Sequence, residues 1–209
     1  MGLFISVEGP DGSGKTLQMD LLENALREKG YDVIRSREPG GTRIGEAVRK
    51  ILLGSEYEGM DGVTEALLFA ASRRQHVCEV IRPALEAGKI VLLDRYVDSS
   101  FVYQGVGRGL GFDKVMAIND YAMEGLLPDV TLLIYVDYET GLQRKKVQAG
   151  HELDRLEEET ENFHRKINEG YYSLVRNDPD RVKLIDGCNA PEKVHQNVMQ
   201  VILPYLQNR

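Results

Sequence analysis

The chain has 209 residues and a formal charge of −7, which argues against a general binder of nucleic acid or of an anionic membrane. Hydrophobic residues make up 42% of it, enough for one sizeable core, and no apolar run of membrane length or leader pattern occurs. The two cysteines, Cys78 and Cys188, lack disulfide or metal spacing, and His76, His151, His164 and His195 are scattered; both facts predict a reducing, cytoplasmic address without a histidine metal centre.

In chain order, Leu3 to Val7 reads as a buried strand, and from Lys15 onward Leu17, Leu21, Leu22, Ala25 and Leu26 recur at helical spacing. Between them, Gly9-Pro10-Asp11-Gly12-Ser13-Gly14-Lys15-Thr16 fits G-x-x-x-x-G-K-[ST] without a mismatch. Glycines let a backbone wrap a phosphate and aim N–H groups at it, and the helix start adds the positive end of its dipole. In such a loop Lys15 reaches the terminal phosphates of a nucleoside triphosphate, and the Thr16 hydroxyl is placed to ligate Mg²⁺.

Further strands are expected at 31–36, 89–94, 129–137 and 181–186, and helices at 43–53, 63–87, 112–125, 139–148, 158–176 and 191–207. Asn189-Ala190-Pro191-Glu192 looks like a capped start for the last helix. The alternation predicts an α/β chain with a parallel five-stranded sheet and helices on both faces; the phosphate-loop motif makes it a P-loop NTPase fold, and the basic segment after the fourth strand is where a short lid is expected. No linker or repeat divides residues 1–209, so one domain is expected, with the lid at about 144–157.

In a parallel sheet the loops at the carboxyl ends of the strands gather round the ligand. After the second strand comes Arg37-Glu38-Pro39-Gly40-Gly41-Thr42, with a turn signal at Pro39-Gly40. After the third comes Asp94-Arg95, where Asp94 can hold Mg²⁺ opposite Thr16 or pair with Arg95. Within 63–87, Phe69, Arg73 and His76 share one helical face, so a ring and a guanidinium could stack and bond one base, or simply be a core Phe beside a solvated Arg. The segment RKKVQAGHELDRLEEE holds Arg144, Lys145, Lys146 and Arg155 about a turn at Ala149-Gly150 and reads as a basic flap or a solvated charge run. Glu157, Glu158 and Glu159 read as helix-start acids.

These blocks, EGPDGSGKT, REPGGTRIGEAVRKILL, TEALLFAASRRQH, DRYVDSSFVYQG and LDRLEEE in that order, resemble the thymidylate kinases over essentially the whole chain. The resemblance implies ATP-dependent phosphorylation of dTMP to dTDP in dTTP synthesis, with Mg²⁺ and a homodimer, and no nucleic-acid or membrane partner. It implies that Gly9 to Thr16 bind ATP, that Lys15, Asp11 and Arg95 are catalytic, and that Thr16 and Asp94 take the metal. Glu38, Arg49, Phe69, Arg73, Arg95, Ser100, Tyr103 and Gln104 would line the dTMP site, with Arg49 and Arg95 on the acceptor phosphate. Phe69 would stack on thymine, Arg73 would bond O4, Ser100 and Gln104 would meet its other polar edge, and Tyr103 would pack against the deoxyribose. Asp11 and Gly12 stand where the bacterial type has no loop arginine, and the resemblance implies that Arg144 or Arg155 closes from the lid as a catalytic cation; Val147 to Leu153 depart from related lids in holding no arginine. The alternatives are another nucleoside or nucleotide kinase, or a non-catalytic P-loop protein that senses ATP.

Overall fold

The apolar runs form five strands in a computed structural model of the chain, which describes residues 2–147 and 154–207. β1 (Leu3–Glu8), β2 (Val33–Arg37), β3 (Ile90–Asp94), β4 (Val130–Tyr135) and β5 (Val182–Asp186) make one parallel sheet in the order β2-β3-β1-β4-β5. The helices of its first half are α1 (Lys15–Glu28), α2 (Arg43–Leu53), α3 (Gly62–His76), α4 (Arg82–Glu86) and α5 (Val97–Ser100). Those of its second half are α6 (Phe112–Met123), α7 (Tyr138–Val147), α8 (Glu161–Asn177) and α9 (Pro191–Gln207).

The side-chain period of β1 sorts its residues between two cores. Leu3, Ile5 and Val7 pack with Met19, Leu22 and Leu26 of α1 and with Val194, Val198 and Ile202 of α9. Phe4 joins the opposite core with Phe69, Val97 and Tyr171. Ser6 and Glu8 follow Phe4 at the same period, so two polar side chains are buried among these packed elements. Burial on both faces is why the strands read as near-continuous apolar runs.

The structure differs from the sequence expectations at the edges of elements. The buried stripe of α1 runs through Met19, while Leu17 is exposed, because the helix presents Met19, Leu22 and Leu26 to the sheet. The 63–87 helix is interrupted by a π-helical turn at Val77–Ile81 before α4. The residues after β3 are helical rather than loop: α5 runs directly into a π-helical stretch, Phe101–Gly107, whose first five residues are buried. Glu157, Glu158 and Glu159 precede α8 rather than start it; Thr160 is its N-cap, accepting from Phe163 N, and Glu161 is the acid of the first turn. Asn189 turns back to the Asp186 carboxylate and carbonyl instead of capping α9. The expected turn at Ala149-Gly150 lies outside the described residues.

Candidate active site

The loop between β1 and α1 is shaped by contacts only glycine tolerates. Gly9 has φ +144, and a Cβ there would sit 2.1 Å from the Ile134 carbonyl. Gly14 has φ +91 and open space beside it, which lets the backbone turn into α1 without a side chain in the way. Lys15 folds back over the loop and donates to the Gly9 and Pro10 carbonyls, each at 2.9 Å. Burial and then the Arg95 charge lower its pKa to about 8.

Three cations, from α1, α7 and the turn after β3, converge on Asp11. Arg95 Nη2 donates to Oδ1 at 2.7 Å, Lys15 Nζ stands 4.0 Å from Oδ1, and Lys145 Nζ of α7 stands 3.8 Å from Oδ2. Burial would raise the pKa of Asp11, but Arg95, Lys15 and Lys145 outweigh it and hold it at about 2. The carboxylate is therefore charged throughout the neutral range. Arg95 takes φ 66, and its guanidinium lies 5.4 Å over the Tyr103 ring. It pairs with Asp11 and not with its neighbour Asp94, whose Oδ1 is buried without a hydrogen-bond partner among the described residues.

These groups border a cavity of about 600 Å³ at the carboxyl end of the sheet. Gly12, Gly14, Lys15 and Thr16 form one wall, and Asp94 and Arg95 the floor. The same cavity is lined by Glu38, Arg49, Phe69, Arg73, Ser100, Tyr103 and Gln104. Of the residues singled out from sequence, Asp11 and these thirteen meet here, whereas Gly9, Pro10, Ser13, Arg144 and Arg155 are not among the walls.

Arg73 is 1% exposed, buried deep in that lining. Its Nε donates to Glu38 Oε2 at 2.8 Å, Nη1 to Ser100 Oγ at 3.1 Å and to Asn119 Oδ1, and Nη2 to the Tyr96 carbonyl at 3.1 Å. Four of its five N–H groups are thus fixed. Glu38 also meets His76 Nδ1 at 3.1 Å, so His76 supports the wall from behind. Arg49 Nη1 donates to the Pro39 carbonyl at 2.9 Å. Gln104 Nε2 donates to Glu65 Oε1 at 2.8 Å.

Both arginines flanking the lid are engaged elsewhere. Arg144 donates to the Gly187 carbonyl at 3.0 Å. Arg155 is buried, donating to the Leu52 carbonyl at 2.8 Å and to Glu65 Oε2 at 2.7 Å. Glu65 collects Arg108 as well, and these donors outweigh its burial and hold its pKa down. Lys145 is the lid-side cation on the cavity wall, paired with Glu157 at 2.7 Å. Residues 148–153 of the expected lid lie outside the described residues.

Glu8, Glu65, Ser99, Asn119 and Tyr171 escaped the sequence reading, although their bonds brace the cavity. A signal existed for Glu8, since a carboxylate ending an apolar strand is buried and must find donors.

Comparison with known proteins matches residues 7–198 to the family profile described as thymidylate kinase. A thymidylate kinase of Thermoanaerobacter sp. is 50% identical over 205 residues, 98% of this chain and 99% of that one. One from Geobacillus thermodenitrificans is 47% identical over 206 residues, 99% of this chain and 92% of that one. The crystal structure of thymidylate kinase from Ehrlichia chaffeensis superposes with a TM-score of 0.78 at 32% identity, covering 96% of this chain and 98% of that one.

Proposed function

Because the chain belongs to the thymidylate kinase family and transfers a phosphoryl group from ATP to dTMP, we propose a division of that task among the residues of the cavity. The observation that carries the proposal is the pairing, in one cavity, of a phosphate loop with a second cationic and aromatic wall. A protein that only senses ATP needs the first and not the second. Lys15 and the loop from Gly9 to Thr16 take the donor phosphates, through the backbone N–H groups of its residues other than Pro10. Arg49 and Arg95 take the acceptor phosphate, and Phe69 stacks on thymine. The fifth N–H of Arg73, on Nη2, is the one left for O4, while Ser100 and Gln104 face the rest of the polar edge and Tyr103 the deoxyribose.

Thr16 and Asp94 suit Mg²⁺, and the unpartnered buried Oδ1 of Asp94 supports that assignment. The ion, when bound with ATP, neutralises phosphate charge. The chain's own residues position the two substrates and exclude water. The attack on the γ-phosphoryl group is in line through positioning of the two substrates, and it needs no general base because the acceptor is already an anion. Asp11 gathers Lys15, Arg95 and Lys145 at the loop, and phosphate oxygens can replace it as their partner. Arg144 and Arg155 would have to leave their present partners to serve as lid cations, whereas Lys145 is already on the wall.

A homodimer fits the exposed Ile44 and Ile51 of α2 and Val63 and Leu67 of α3, which form apolar stripes on helices packed together. Light scattering during size exclusion checks it. Among the described residues no helix is long and apolar enough to cross a membrane, and both cysteines are free, which suits the proposed cytoplasmic address.

The deciding experiment is coupled ADP release with dTMP, dUMP, dCMP, dGMP and thymidine as acceptors. Turnover should require dTMP or, more weakly, dUMP. ATP binding with no acceptor-dependent turnover would reverse the assignment.

A further inference from the structure

Glu8 is fully buried at the end of β1, and the steps above do not use it. Its Oε1 accepts from the Tyr96 backbone N–H at 2.7 Å. Its Oε2 accepts from the Ser99 hydroxyl at 2.6 Å and the Tyr171 hydroxyl at 3.2 Å. The same two hydroxyls face Arg95, whose Nη1 donates to Ser99 Oγ at 3.2 Å and to Tyr171. They lie 2.9 Å from one another.

A hydroxyl has one proton, and a guanidinium can only donate. When Glu8 is ionised, both hydroxyl protons can point toward it, leaving oxygen lone pairs for Arg95. When Glu8 is protonated, it brings a third proton to the same few oxygens. The hydroxyl that accepts it then turns its own proton to the other hydroxyl, 2.9 Å away, so each oxygen has one lone pair fewer to offer Arg95. Arg95 Nη1, which also donates to the Gly9 carbonyl at 3.3 Å, then meets two hydroxyls with less accepting capacity and with no anion behind them to polarise them.

The surroundings of Glu8 set how readily that proton binds. Asp98 of α5, itself paired with Arg181 at 2.6 Å, faces it, as do Arg95 and Tyr96 before α5. Lys15 at the head of α1, Tyr103 and Tyr171 of α8 complete the set of charged and titratable neighbours. Burial, and then Asp98, push Glu8 up to about 7 against the pull of Arg95. Protonation therefore falls near neutral pH.

We propose that Glu8 and Tyr171 are positioning residues for Arg95, and that a proton on Glu8 loosens the grip of Arg95 on the acceptor phosphate. The inference rests on Arg95 holding that phosphate, as read above.

Steady-state kinetics of the full chain from about pH 6 to about pH 9 tests it, with wild type, Glu8→Gln and Tyr171→Phe. The amide of Glu8→Gln mimics the protonated acid by donating permanently. Near the alkaline end it should raise the KM for dTMP about tenfold while leaving the KM for ATP within about twofold. The fall of kcat/KM for dTMP on acidification should be shallower than in wild type, since only the proton of the substrate phosphate remains. Tyr171→Phe should raise the KM for dTMP with little change in the thermal midpoint. A merely structural Glu8 would shift both KM values together and keep the wild-type pH profile, and that result overturns the proposal. If Glu8→Gln does not fold, a wild-type KM for dTMP in Tyr171→Phe overturns it instead. Absence of dTMP-dependent ADP release in the wild type would count against the kinase reading and not against this relay.

Discussion

Arg73 carries two loads that one substitution has to separate. It neutralises the buried Glu38 carboxylate, and it presents one remaining N–H to the cavity. Arg73→Ala would strand Glu38 with His76 and cost stability on the order of 3–5 kcal/mol, obscuring any effect on base choice. Arg73→Lys keeps the charge and loses the planar fork. Cytosine offers an amino donor where thymine offers O4, so a site built to donate there rejects it strongly. The dTMP/dCMP ratio of kcat/KM should therefore fall at least about tenfold in Arg73→Lys. Phe69→Ala should weaken both nucleotides together, because stacking does not read the edge. Kinetics on the two nucleotides decides it, and an unchanged ratio in Arg73→Lys would remove Arg73 from the base pocket. Phe69 and Arg73 were legible because their spacing alone puts them on one helical face. For Glu8 the sequence offered burial at the end of an apolar strand but not its partners, because the hydroxyls that bond it lie 91 and 163 residues away along the chain.

At the scale of elements, the lid flanks are built differently. Arg155 is anchored through its backbone N–H to the Leu53 carbonyl and through its side chain to Leu52 and Glu65. Lys145 reaches across from α7 toward Asp11. Lys145→Ala should lower kcat about 100-fold with little change in dTMP affinity, as for loss of one group that acts in the transition state. Arg155→Ala should instead lower the thermal midpoint, since it removes one of the cations of Glu65. A normal kcat in Lys145→Ala beside a collapsed one in Arg144→Ala or Arg155→Ala would return the role to an arginine. Helices such as α2 and α9 were legible to the residue, because amphipathic spacing and a proline start define them. Val97 to Gly107 was not: β-branched residues and two glycines give it weak intrinsic helicity, and burial of Phe101 to Gly105 holds it instead. A π-helical stretch there places Tyr103 and Gln104 on the cavity wall.

The whole molecule follows from where β1 sits. Five apolar runs announce a parallel sheet, but their order does not follow from the sequence, since β2 and β3 lie to one side of β1 and β4 and β5 to the other. With β1 central, the phosphate loop opens beside the end of β3, where Val7 and Asp94 are in register. That juxtaposition is how residues far apart in sequence share one crevice. The anchored return of Arg155 also has a consequence for cleavage by proteases. Trypsin needs a basic side chain and several flanking residues in extended form within its own cleft. Arg155 offers neither, with its side chain buried and its backbone N–H bonded, whereas Lys146 is exposed and lies one residue from the end of α7, where a helix frays most readily. Brief digestion should therefore nick the chain after Lys146 well before Arg155, and mass spectrometry of the fragments reads the order. First cleavage after Arg155 would mean that the Glu65 anchor releases in solution.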